Sequence, residues 1–123
     1  MKKILIAAAL GLSAVAFTAA AHGPAKAAHG GVVQSANDVS FELVAQANGA
    51  SIYVIDHHSR PDVSKMTGKL TVLSGTEKSD AELKPVAADR LEATGVKLVP
   101  GSKVVATLSS PGSKTTTVRF TVR

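Results

Sequence analysis

The sequence predicts an all-β domain: a small antiparallel sandwich of immunoglobulin-like size, or a barrel, built from seven or eight short strands. Three observations lead there. Apolar and polar residues alternate over short runs from Val32 to the C-terminus. Gly, Pro, Asn and Asp break those runs at regular intervals. Beyond the first 21 residues no stretch carries a convincing helical period.

The chain opens MKKILIAAALGLSAVAFTAAAHG, with two lysines followed by a small and apolar run from Ile4 to Ala21. That is the pattern of a secretory leader of bacterial type, removed on export, with no stable membrane insertion of the remainder. Two sites satisfy the small-x-small rule for cleavage. One follows Ala21, with Ala19 two residues before it, and is preferred because it leaves the more usual spacer after the apolar run. The alternative follows Ala27, with Ala25 two residues before it. The expected layout is a leader over 1–21, an N-terminal segment and first strand over 22–38, and a β-domain over 39–123.

A first strand is expected at 31–34. Residues 39–45 then put Val39, Phe41, Leu43 and Ala45 on one face. Asn48-Gly49 reads as the turn of an antiparallel hairpin with the apolar run 51–55. After the stretch IDHHSRPD, strands are expected at 68–73, 81–86 and 90–94, with the polar residues from Ser74 to Asp80 as a turn. Pro85 argues against a helix over 81–91. Pro100-Gly101 and Pro111-Gly112-Ser113 bracket a strand at 103–108, and the threonine-rich run 115–122 closes the chain.

Composition narrows function. The chain has 14 basic and 9 acidic residues; without Lys2 and Lys3 the balance is 12 − 9 = +3. The basic residues are scattered singly, without aromatic interleaving, so no nucleic-acid partner is expected. There is no cysteine, so neither disulfides nor a lipid-modified cysteine after the leader is available, and a soluble periplasmic product is expected. No nucleophile-elbow motif or paired carboxylates accompany the serines and histidines, and a non-catalytic protein is expected.

The histidines are concentrated. His57 and His58 lie between Asp56 and Asp62, and His22 and His29 lie together upstream. Imidazole is the commonest protein ligand of copper, zinc and nickel, and carboxylates are acceptable partners. Adjacent residues of a regular strand face opposite ways, so His57 and His58 can share an ion only where the chain has left the sheet, as Ser59-Arg60-Pro61 implies. His57 or His58 with Asp56 or Asp62 would supply two ligands. The competing reading is a hydrophilic loop tip, with His29 as punctuation before the first strand, because a lone histidine pair lacks the repeated spacing of a zinc motif. If cleavage falls after Ala21, His22 becomes the N-terminus and its amine and ring could chelate Cu(II). An up-down-up count of the first three strands puts His29 and His57 at opposite ends of the sheet. Only the N-terminal tail or a different strand order would bring them together.

The segments His29-Gly30-Gly31-Val32-Val33, Val39-Ser40-Phe41-Glu42-Leu43-Val44 and Ile52-Tyr53-Val54-Ile55-Asp56-His57 together resemble small exported proteins associated with heavy-metal resistance. They also resemble the N-terminal His-Gly-Gly region of periplasmic adaptor subunits of heavy-metal efflux pumps. The resemblance covers about the first half of the chain after the leader. It implies a periplasmic β-domain that handles copper, zinc, cobalt or nickel beside an efflux component, with His29 matching the family's His-Gly-Gly histidine and Asp56 and His57 its Tyr-x-x-Asp turn. The chain lacks the helical hairpin and lipoyl-like halves of an adaptor and the Met-rich tracts of many Cu(I) carriers. The expectation is therefore a free-standing accessory protein; the rival is a metal-free structural or protein-interaction domain.

Overall fold

The computed structural model describes residues 25–112 and 115–123. Eight strands follow one another: β1 (Val32–Ala36), β2 (Val39–Gln46), β3 (Gly49–Ile55), β4 (Thr67–Ser74), β5 (Glu77–Ala87), β6 (Arg90–Thr94), β7 (Lys103–Ser109) and β8 (Thr116–Thr121). Every pairing is antiparallel, in the order β1-β2-β3-β6-β5-β4-β7-β8. β8 comes round against β1, where Asn37 Nδ2 donates to Thr116 Oγ1 at 3.1 Å, so the sheet is a nearly closed barrel. No helix occurs among the described residues. The expected all-β antiparallel class is the one observed.

Turn chemistry sets the local registers. Asn37 and Asp38 both sit at positive φ (53° and 64°), which a two-residue hairpin between right-twisted strands requires and which these two side chains tolerate. That turn pairs Ala36 with Val39 and carries the register down to Val33 opposite Glu42. The second hairpin turns on Ala47 and Asn48, one residue earlier than expected, and Gly49 already lies in β3 opposite Gln46. Gly49 is needed for another reason: a Cβ there would fall 2.0 Å from the Ala93 carbonyl oxygen of β6. Pro100-Gly101 forms a type II turn, with Gly101 at φ 91° and Ser102 N donating to Val99 O at 3.0 Å.

From β4 onward the order departs from a simple meander. β4, β5 and β6 are joined by hairpins, and β7 returns by the 95–102 connection to lie beside β4, giving a Greek key. β3 reaches β4 by residues 56–66, whose Val63 is buried and whose amide donates to Ala88 O at 2.9 Å. β5 starts at Glu77, inside the polar run expected to be a turn, because its first half pairs with β4 from Ser74↔Glu77 onward. Its second half pairs with β6, with a register irregularity between Pro85 and Ala87 that accommodates the proline's missing amide. The core is aliphatic, with Ile52, Leu70, Leu83, Leu91, Val104 and Leu108 fully buried and Phe41 and Phe120 packed against them.

Candidate functional site

Alternation along β2 sends Phe41 and Leu43 into the core and Glu42 to the outer face of the barrel. The two hairpin registers place Glu42 opposite Tyr53 of β3, and Tyr53 opposite Arg90 of β6, so these three form one row across the sheet. An outward glutamate would ordinarily be solvated. Here its side chain has 0% exposure, because residues 25–31 fold back as a strap over β2.

The strap holds Glu42 through four hydrogen bonds. Ala28 N donates to Oε1 at 3.0 Å, His29 N to Oε2 at 2.9 Å and Gly31 N to Oε2 at 2.8 Å. The His29 ring donates from Nδ1 to Oε1 at 3.0 Å. A carboxylate only accepts, so this bond puts a proton on Nδ1 and turns Nε2 away from Glu42. The His-Gly-Gly sequence explains the strap's path. Gly30 takes φ 74°, and a Cβ on Gly31 would lie 2.2 Å from the Leu43 carbonyl oxygen, so the chain can approach β2 closely only as glycine. Upstream, Ala25 N donates to Ser40 Oγ at 3.1 Å.

Burial raises the Glu42 pKa. The Gly31 amide, the His29 ring and the Ala28 and His29 amides outweigh it and hold the carboxyl below the ordinary glutamate value. Beside it, His29 stacks on Tyr53 with ring centroids 3.7 Å apart and planes 9° from parallel. Arg90 Nη1 donates to Tyr53 Oη at 3.3 Å, and its Nε lies 3.7 Å from Glu92 Oε2. The imidazole is thus fixed on two sides, and 43% of its side chain remains exposed.

The loop after β3 is organised by its own acids. Asp56 Oδ1 accepts from His58 N at 2.9 Å and Oδ2 from Ser59 Oγ at 3.2 Å; the His58 amide chiefly holds the Asp56 carboxyl below its usual value. Asp62 accepts from Ser64 N at 3.0 Å, and the Ser64 hydroxyl and amide lower its pKa. His57 and His58 are exposed. His22 lies outside the described residues. Among the described residues, no three of His, Asp and Glu stand together as a metal-holding group.

The meander of β1 to β3 does place the start of β1 and the end of β3 at opposite ends of the sheet. The strap reverses that separation in part. It runs back from Leu43 to Ser40, whose ladder partner is Ile55, the residue before Asp56. His29 therefore belongs to the Glu42–Tyr53 row and not to the far end of the barrel. Glu42, Tyr53 and Arg90 had not stood out in the sequence. Their signal was the Asn37-Asp38 pair: a two-residue turn there puts Glu42 opposite Val33, just past the His-Gly-Gly strap.

The fold and site together define a small antiparallel barrel-like module with a strap clasped to its wall by one buried carboxylate. No protein-family model, curated protein or solved structure matches the chain.

Proposed function

We propose that the chain is an exported, periplasmic, non-catalytic module that binds a transition-metal ion (copper, zinc, nickel or cobalt) as an accessory to metal efflux or resistance. The observation that carries this reading is the state of His29. Its Nδ1 is engaged by Glu42 and its ring is stacked on Tyr53, so Nε2 is offered as an immobilised, half-exposed nitrogen donor. An imidazole oriented by a carboxylate on its other nitrogen is the arrangement that metal-ligating histidines use. His57 and His58, with Asp56 and Asp62, are a separate set of donors in the loop after β3.

A specific observation favours the metal-free alternative. Glu42 collects four strap donors, Asp56 caps its own loop and Asp62 caps Ser64, so each carboxylate has a structural use without any ion. On that alternative the barrel is a structural or protein-interaction domain. Titration of metal-stripped exported protein with Cu(II), Zn(II) and Ni(II) separates the two. The metal reading expects a Kd near 1 μM, worth about 8 kcal/mol, which a stray surface imidazole does not supply. It also expects at least tenfold weakening when His57→Ala and His58→Ala are combined. Binding weaker than about 100 μM, or indifferent to that pair of changes, supports the metal-free domain.

A further inference from the structure

A glutamate with 0% exposure has as its donors, among the described residues, three backbone amides and one imidazole, and no lysine or arginine side chain. One of those amides stands at a special place in the sequence. Ala28 follows Ala25-Lys26-Ala27, which satisfies the small-x-small rule for leader removal. Its nitrogen is 3.0 Å from Glu42 Oε1.

We propose that the leader is removed between Ala27 and Ala28, and that the new α-ammonium of Ala28 is the counter-ion of buried Glu42. Hydrolysis of that peptide bond consumes one water and leaves a carboxylate on Ala27 and an ammonium on Ala28. The nitrogen already occupies the position the cation needs, so processing converts a neutral hydrogen bond into a charge-assisted one without moving the strap. The other strap bonds to Glu42, from the His29 amide, the His29 ring and the Gly31 amide, all lie downstream of the cut and survive it. Among the described residues, the one strap bond lost is that of Ala25 to Ser40 Oγ, and Ser40 keeps Ser35 Oγ at 3.1 Å. Lys26 and Ala27 are exposed, and the chain there pairs with no strand. Maturation thus completes the clasp, and the unprocessed chain carries it without its cation.

The inference rests on the export part of the proposed function. Intact-mass measurement of the protein recovered from the periplasm is expected to show a chain beginning at Ala28, of 123 − 27 = 96 residues. A chain beginning at His22 overturns this inference and leaves export standing, whereas a chain retaining Met1 overturns both. The ion pair is then read by N-acetylating the Ala28 chain, which keeps the N–H donor and removes the charge. Acetylation is expected to lower Tm by about 5 °C at pH 7, the shift that loss of one charge-assisted bond gives a domain of this size.

Glu42→Gln should abolish the effect of acetylation. An unchanged Tm on acetylation overturns the ion pair, and this comparison holds even where the Glu42→Gln chain does not fold.

Discussion

Glu42 is the residue on which the outer face of the barrel turns. Its oxygens meet only donors, so Glu42→Gln, though nearly isosteric, turns one acceptor into an NH2 that confronts amides it cannot bond. The expected cost is about 2–3 kcal/mol at pH 7, measured by urea unfolding. The same residue sets an acid limit. Its folded pKa lies below the ordinary value of 4.5, so its contribution is complete above that pH and is lost as pH falls through the lower folded value. Wild type and Glu42→Gln should therefore differ most near neutrality and converge in acid; a gap that stays constant from pH 7 to 3 would assign the cost to packing instead. The site was only half legible for a related reason. Histidines and aspartates advertise themselves by residue type, whereas Glu42 looks like any outward strand glutamate until the strap is known to cover it.

At the scale of elements, two glycines do separate jobs and their replacement should fail in separate ways. An alanine at Gly31 puts its Cβ 2.2 Å from Leu43 O, which lifts the strap off β2 without touching the barrel wall beneath. Trypsin should then cut after Lys26 at least tenfold faster in Gly31→Ala than in the unaltered full chain, while the global unfolding midpoint falls little. An alanine at Gly49 instead meets Ala93 O at 2.0 Å, where β3 pairs with β6 in the barrel wall. Gly49→Ala should lose 3 kcal/mol or more, on the order of the largest core effects, by chemical denaturation. Equal protease sensitivity of the two variants would mean that strap and barrel open together. Strand positions were largely readable because alternation and turn residues are local signals: β2, β3, β6 and β7 fall within a residue or two of expectation. The misses also have local causes. A two-residue turn needs only Ala47-Asn48, so Gly49 was free to serve the approach of β6. The charged start of β5 is strand because β4 pairs with it, which no propensity of Glu77 to Asp80 announces.

For the whole molecule, strand order was the part the sequence withheld. Alternation marks each strand's faces but not its neighbours, and the pairings β3 with β6 and β4 with β7 join segments separated by long connections. What selects them is burial. The long β5 belongs to both parts of the sheet, and its Leu83, with Leu91 of the neighbouring β6, faces one interior shared with Leu70 and Leu108. If that interior is a single core, removing packing from either side must weaken the same transition. Leu70→Ala on β4 and Leu91→Ala on β6 leave cavities at fully buried sites, and each should cost about 2–5 kcal/mol. Against a total of roughly 5–15 kcal/mol for such a domain, that is a large share. Because the strands share one core, both variants should shift the urea midpoint with an unchanged slope, and Tyr53 fluorescence, reporting the β2–β3–β6 face, should move with far-ultraviolet circular dichroism. Separation of the two signals in Leu70→Ala, with Tyr53 unfolding later than the bulk, would show that the β4–β7–β8 side opens by itself, and the barrel would then be two packed sheets holding β5 in common.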